Sequence, residues 1–145
     1  MKYVVVYYTR TLTCQRIAET ISKKLACEIA KIVDNENWEG ALGFFKAGYF
    51  SSKGKDVKIT TSGDLDHVDE YIVVTPLWAG GIAPATRVFL KTLPREKIHL
   101  VVSSIGNRVK DRSDYKSVSD ITKIEGNEDL VINNLVKSLS KSTSE

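Results

Sequence analysis

Three threonines, Thr9, Thr11 and Thr13, alternate with Arg10 and Leu12 directly ahead of Cys14, where an apolar run gives way to helical periodicity. Hydroxyls at such a place stand beside the free N–H groups of a helix's first turn and its positive dipole end, a combination that binds an anion such as a phosphate. The same hydroxyls also serve simply as caps of a helix and turn. Arg10 either counters the phosphate charge or projects into solvent. Cys14, at the head of the helix, is either a thiol of lowered pKa, acting as weak donor or oxidisable group, or an inert packing residue.

A second loop, Thr75-Pro76-Leu77-Trp78-Ala79-Gly80-Gly81, puts an indole past the end of a β-branched run, beyond where a core tryptophan would sit. Trp78 is thereby displayed for stacking on a planar ligand. The glycine pair beside it lets a peptide take positive φ or turn over, which suits a carbonyl or N–H that must follow a ring nitrogen changing its protonation. A plain tight turn has the same composition.

The elements that hold these loops follow from the apolar pattern. Residues 2–8 form a continuous β-branched and aromatic run, the mark of a strand buried on both faces. Ile17, Ile21 and Leu25 then recur every four residues, an amphipathic helix. Residues 27–33 predict a second strand, and Trp38, Leu42, Phe45 and Tyr49 a weak helix over residues 38–50 whose stripe is either core or a partner or quinone surface. Residues 51–66 have loop composition. Residues 71–74 predict a third strand ending at Thr75-Pro76, and residues 83–93 a helix with Pro84 in its first turn and Pro94 as its stop. Residues 98–103 predict a fourth strand, residues 106–115 are charged without helical periodicity, residues 118–124 supply a fifth strand, and Leu130, Ile132, Leu135, Val136 and Leu139 mark a terminal helix.

Strands alternating with helices imply an α/β domain spanning residues 1–145, with a parallel sheet built from right-handed crossovers. In such sheets the ligand lies beyond the carboxyl ends of the strands, so the site gathers residues 9–14, 75–82 and 104–115. The balance of 21 Lys and Arg against 18 Asp and Glu, a net charge of +3, is spread evenly and argues against nucleic acid. No apolar run approaches the roughly 20 residues of a membrane helix and no leader pattern opens the chain, so a cytoplasmic location is expected without membrane insertion. A helix between Cys14 and Cys27 would separate them by about 20 Å at ~1.5 Å per residue, too far for a bridge. His67 and His99 stand alone, and no spacing suggests a metal.

The segment from Tyr8 to Cys14 resembles the phosphate loop of the flavodoxin family, Ser/Thr-x-Thr-Gly-x-Thr, and Thr75-Pro76-Leu77-Trp78-Ala79-Gly80, continuing through Pro84, Arg87, Phe89 and Leu90, resembles its Thr-Pro-x-Trp-x-Gly loop and following helix. The resemblance covers nearly the whole chain. It implies a three-layer sandwich with a five-stranded parallel sheet of order 2-1-3-4-5 and helices on both faces; this chain departs from the family in that its fourth helix is short or absent. It implies FMN as cofactor, its phosphate on Thr9, Thr11 and Thr13 with Arg10, Leu12 and Cys14 in the same loop. Trp78 would stack on the isoalloxazine among Thr75, Pro76, Leu77 and Ala79, and the Gly80 peptide would meet the N5 edge. Ser104, Ile105, Gly106 and Asn107 would line the pyrimidine side. Leu12 stands where the family favours glycine, at a position that resists a branched side chain if φ is positive. Tyr115 is the first aromatic after strand four, and hence the candidate for covering the outer flavin face.

Three functions follow. The first is a one-electron carrier between redox partner proteins, in which the chain supplies binding and electrostatics and the flavin the redox step. The second is an FMN-dependent NAD(P)H or quinone reductase, which needs an open ring face and is usually a dimer where the carrier is a monomer. The third is a binding module that has kept the fold and lost FMN, with Leu12 as its motive. Lys53, Lys55 and Lys58, and the cluster Arg108, Lys110 and Arg112, either steer an acidic partner or are solvated loops.

Overall fold

Tyr3–Tyr7, β1, is buried at all five positions, because successive side chains enter two different cores. The computed structural model describes residues 1–10, 12–34, 59–63, 65–78 and 81–143. The elements after β1 are α1 (Thr13–Leu25), β2 (Glu28–Asp34), β3 (Ile59–Ser62), β4 (Glu70–Trp78), β5 (Gly81–Ile82), α2 (Pro84–Leu90), a 3₁₀ turn (Arg95–Lys97), β6 (Ile98–Ser104), β7 (Ser117–Thr122) and α3 (Glu128–Thr143). The helix expected over residues 38–50 lies outside the described residues.

Among the described residues the sheet has seven strands in the order β3-β2-β1-β4-β6-β7, with β5 on β4. The five strands β2-β1-β4-β6-β7 are mutually parallel, in the expected 2-1-3-4-5 order. The all-parallel expectation is corrected by two additions. β3 pairs antiparallel with β2, from Lys31↔Ser62 to Asp34↔Ile59, and β5 pairs antiparallel with the end of β4. Loop composition hid β3 because Ile59-Thr60-Thr61-Ser62 is a mostly exposed edge with no buried alternation to read.

On one sheet face α1 and α3 cover Val5, Tyr7, Ile72, Val74 and Val101, and on the other α2 covers Val4, Val6, Val73, Leu100 and Val102. α1 offers Cys14, Ile17, Ala18 and Ile21, spaced as one helical face. It closes in a Schellman motif, with the Ala26 N–H on the Lys23 carbonyl at 3.3 Å and the Cys27 N–H on the Ser22 carbonyl at 3.1 Å. Cys14 and Cys27 are both free thiols.

No helix connects β6 to β7. Residues 105–116 instead form a strap held by charge. Buried Asp120 accepts from the Val109 N–H at 3.3 Å and pairs with Arg112 at 2.7 Å, while both Arg108–Glu125 oxygen contacts are under 3 Å, at 2.8 and 2.9 Å. Farther along, Arg95 grips Asp111 in a fork of 3.1 and 2.9 Å. The Arg95 hydrogen bond, with its charge, holds the Asp111 carboxyl below its ordinary pKa. The expected basic cluster is therefore largely neutralised: Arg108 and Arg112 face acids. Lys53, Lys55 and Lys58 lie outside the described residues.

At the amino ends of the strands, buried His99 spans to Glu70 at 2.8 Å through Nε2 and to Ser117 at 2.8 Å through Nδ1, and Lys116 Nζ reaches the second Glu70 oxygen at 3.2 Å. Burial pushes the Glu70 carboxyl up, but the hydrogen bonds and charges of His99 and Lys116 outweigh it and leave the pKa lowered. A lowered folded-state pKa stabilises the fold above the unfolded value, about 4.3, and that stability is lost as pH falls through the lower folded value. Glu70→Gln removes this contribution. Between pH of about 5 and 3 the thermal midpoint of the wild type is expected to fall more steeply than that of Glu70→Gln, as measured by circular dichroism.

Candidate functional site

β1, β4 and β6 are adjacent and parallel, with Tyr7 opposite Val74 and Pro76 opposite Ser103. Their carboxyl ends therefore reach one edge together and deliver three loops to it.

The first loop enters α1 through Leu12, whose backbone is left-handed at φ 69°. The helix has neither a side-chain cap nor an acidic residue in its first turn, and its first internal bond is the Arg16 N–H on the Leu12 carbonyl at 3.0 Å. The amides of Thr13, Cys14 and Gln15 precede that bond and have no intrahelical acceptor. Such an end favours an anion. Thr9, Arg10 and Thr13 are half-buried beside it and Leu12 is 66% exposed. Thr11 lies outside the described residues. Burial pushes the Cys14 thiol up to about 12, against a lowering by Arg16. The inert-packing alternative is the one this supports: the side chain is buried beside Ile17 and Ala18, where desolvation disfavours the thiolate.

The second loop differs from expectation in its length of strand. β4 does not end at Thr75-Pro76 but runs on to Trp78, because Leu77 pairs with Ile82 and Trp78 with Gly81. Thr75 is buried and its hydroxyl meets that of Thr86 at 2.8 Å, tying β4 to α2, while Leu77 enters the core. The Pro76 carbonyl accepts the Ala83 N–H at 3.3 Å. Trp78 is half-buried, edge-on to Tyr8 with ring centres 5.8 Å apart at 69°. Tyr8 in turn donates to Asp34 Oδ2 at 2.7 Å, a support for the indole that sequence reading missed because Asp34 closes β2, far along the chain. Ala79 and Gly80 lie outside the described residues.

In the third loop the Asn107 N–H donates to Ser104 Oγ at 2.9 Å and the Ser104 hydroxyl to the Asn107 carbonyl at 2.6 Å. Ser104 is thus spent within its own turn, leaving Ile105, Gly106 and Asn107 exposed. The Lys123 and Ile124 N–H groups bond the Ser104 and Ile105 carbonyls at 3.0 and 2.9 Å, zipping this loop to the one after β7. Tyr115 is not here. The strap carries it to the amino ends, where the Arg95 guanidinium lies 4.6 Å from its ring centre and the Lys116 N–H bonds the Ile98 carbonyl at 2.9 Å. Tyr115 therefore cannot cover a ligand at the carboxyl edge.

A cleft of about 450 Å³ opens at that edge among Thr13, Arg16, Ser104, Thr122 and Lys123. A larger hollow, about 560 Å³, lies at the opposite end beside Tyr3, Lys24 and Cys27, remote from all three loops. The donor set at the carboxyl edge, uncapped amides, hydroxyls and one indole, fits a ligand that joins a phosphate to a planar ring, as FMN does. Among the described residues no group of three His, Cys, Asp or Glu could hold a metal ion, and no helix is long and apolar enough to cross a membrane.

The strand order is that of the flavodoxin-like doubly wound fold. Solved structures share it: a flavoprotein from Lactobacillus acidophilus, crystallised in complex with FMN, has a TM-score of 0.62 at 15% identity, covering 90% of this chain and 97% of its own. Proteins designated flavoproteins from Bacteroides eggerthii and Bacteroides uniformis each have a TM-score of 0.61 at 14% identity, with the same 90% and 97% coverage. No family model and no curated sequence matches the chain.

A left-handed backbone costs a non-glycine residue roughly 1–2 kcal/mol, and exposed Leu12 recovers little by burial. Leu12→Gly is therefore expected to raise the unfolding free energy by about 0.5–1 kcal/mol after glycine's own entropy is subtracted, read from denaturant midpoints.

Proposed function

We propose that this chain is a flavodoxin-like FMN-binding protein acting as a one-electron carrier between redox partners. One observation carries the reading: adjacent parallel strands bring an uncapped, acid-free helix N-terminus and the Trp78 indole to the same edge. FMN, when bound, supplies the redox chemistry. The chain's own groups bind and orient it. The first-turn amides of α1 with Thr9 and Thr13, and Thr11 by the family resemblance, would hold the phosphate. Trp78, braced by Tyr8, would stack against the ring, and the resemblance assigns Gly80 to its N5 edge. The exposed residues Ile105, Gly106 and Asn107 would line the pyrimidine. Thr75, Leu77 and Cys14 contribute position rather than side-chain contact, since their side chains are buried.

A reductase is the second reading, and the displacement of Tyr115 favours it. With that ring held at the amino ends by Arg95, the strap contributes no aromatic to the carboxyl edge.

Titration of the protein with FMN, followed by quenching of flavin fluorescence, is expected to give a one-to-one complex. Trp78→Ala should weaken it by about 1 kcal/mol, roughly fivefold in Kd. An unquenched titration overturns both readings and leaves a module without cofactor. If the complex forms, rapid NAD(P)H oxidation with a quinone identifies the reductase, and its absence the carrier.

A further inference from the structure

At the end of the sheet opposite the flavin edge, β4, β6 and β7 contribute one residue each to a polar chain that electron transfer does not use. Ser117 Oγ lies 2.8 Å from His99 Nδ1, and His99 Nε2 lies 2.8 Å from Glu70 Oε1. The His99 and Glu70 side chains are 6% and 10% exposed. Ser117 is half-buried and lines an open cleft of about 430 Å³, between the strap residue Arg112 and Asn134 and Ser138 of α3.

An ionised carboxylate only accepts, so Glu70 places the imidazole proton on Nε2 and leaves Nδ1 to accept from the Ser117 hydroxyl. Lys116, 3.2 Å from the second carboxylate oxygen, holds that charge in place. A hydroxyl open to a cleft, a base behind it and a buried group orienting the base form the relation that activates serine in acyl transfer. Glu70 and Ser117 between them partner both ring nitrogens of the buried His99. Of Glu70, His99 and Ser117, it is Ser117 that lines the cleft.

We infer that Ser117 is an activated nucleophile that cleaves small carboxylic esters at this cleft, independently of the flavin. Ser117 Oγ attacks the ester carbonyl carbon while its proton passes to His99 Nδ1; the C–O bond to the leaving group breaks and the alcohol departs with that proton. Water then attacks the acyl-Ser117 carbonyl, its proton is taken by Nδ1 and returned to Ser117 Oγ, and the carboxylic acid leaves. Glu70 is a positioning residue. No oxidant or cofactor enters the balance.

The test treats the full chain with p-nitrophenyl acetate and follows nitrophenol release and the mass of the Ser117 peptide. An acetyl group on Ser117 is expected, with release at least tenfold slower in Ser117→Ala. General-base assistance is worth roughly a hundredfold or more, so His99→Ala should lose about that much and regain part of it on addition of imidazole, a rescue that a structural histidine would not give. Glu70→Gln should slow release several-fold near neutral pH when assayed well below its melting temperature, where both proteins are fully folded by circular dichroism. Should His99→Ala fail to fold, Ser117→Ala decides. Equal release from wild type and Ser117→Ala, or acetylation confined to lysines, overturns the inference.

Discussion

The side-by-side parallel pairing of β1, β4 and β6, buried on both faces, is the constraint on which everything else rests. Buried backbone must be hydrogen-bonded, and here the ladders satisfy it while Val4, Val5, Val6, Val73 and Val101 fill the two cores. A slip of one residue would exchange the faces of a whole strand. The register is therefore fixed by burial, and with it the alignment of the three carboxyl ends. Trp78, the helix entry at Leu12 and the turn at Ser104 share an edge because three strands share a register.

The ends of the strands are tied off by different physics. At the carboxyl end the loops are closed by backbone, through the β4–β5 pairing and the bonds from Lys123 and Ile124 to the Ser104 and Ile105 carbonyls. At the amino end the His99–Glu70 pair and the Arg95 fork add charge to the backbone bond from Lys116 to Ile98. The strap between β6 and β7 joins the two regimes. Lacking a helix, it relies on Asp120, a buried acid made tolerable by Arg112 and the Val109 N–H. Exposed pairs such as Arg108–Glu125 and Arg16–Glu128 add little energy; they set where the chain goes.

That routing decides what the edge looks like. Because β7 runs parallel to β6, the strap must return to the amino ends, and Tyr115, just ahead of β7, lies there beneath Arg95. Ile105 stays behind, 71% exposed, at the lip of the site. Leu12, left-handed and exposed, and Ala26, left-handed at φ 51°, bracket α1 at positions where glycine would sit more easily. Tertiary packing of Ile17, Ala18 and Ile21 holds both ends in place.

The amino-acid sequence by itself determined the alternation of strands and helices, the parallel centre of the sheet and the three loops of the site. It could do so because burial on both faces writes continuous β-branched runs, as in residues 2–8 and 71–74, and because Pro84, Pro94 and the Gly80-Gly81 pair punctuate them locally. Tertiary structure alone decided the edge strand β3, whose exposed residues carry no pattern, and the extension of β4 to Trp78, which depends on pairing with Gly81 and Ile82. It alone decided that Thr75 and Cys14 turn inward, that Arg108 and Arg112 face acids, and that Tyr115 lies at the far end. Each of these rests on contacts between different elements, such as Thr75 with Thr86, Arg112 with Asp120 or Tyr115 with Arg95, and a contact between elements leaves no trace in the periodicity of either.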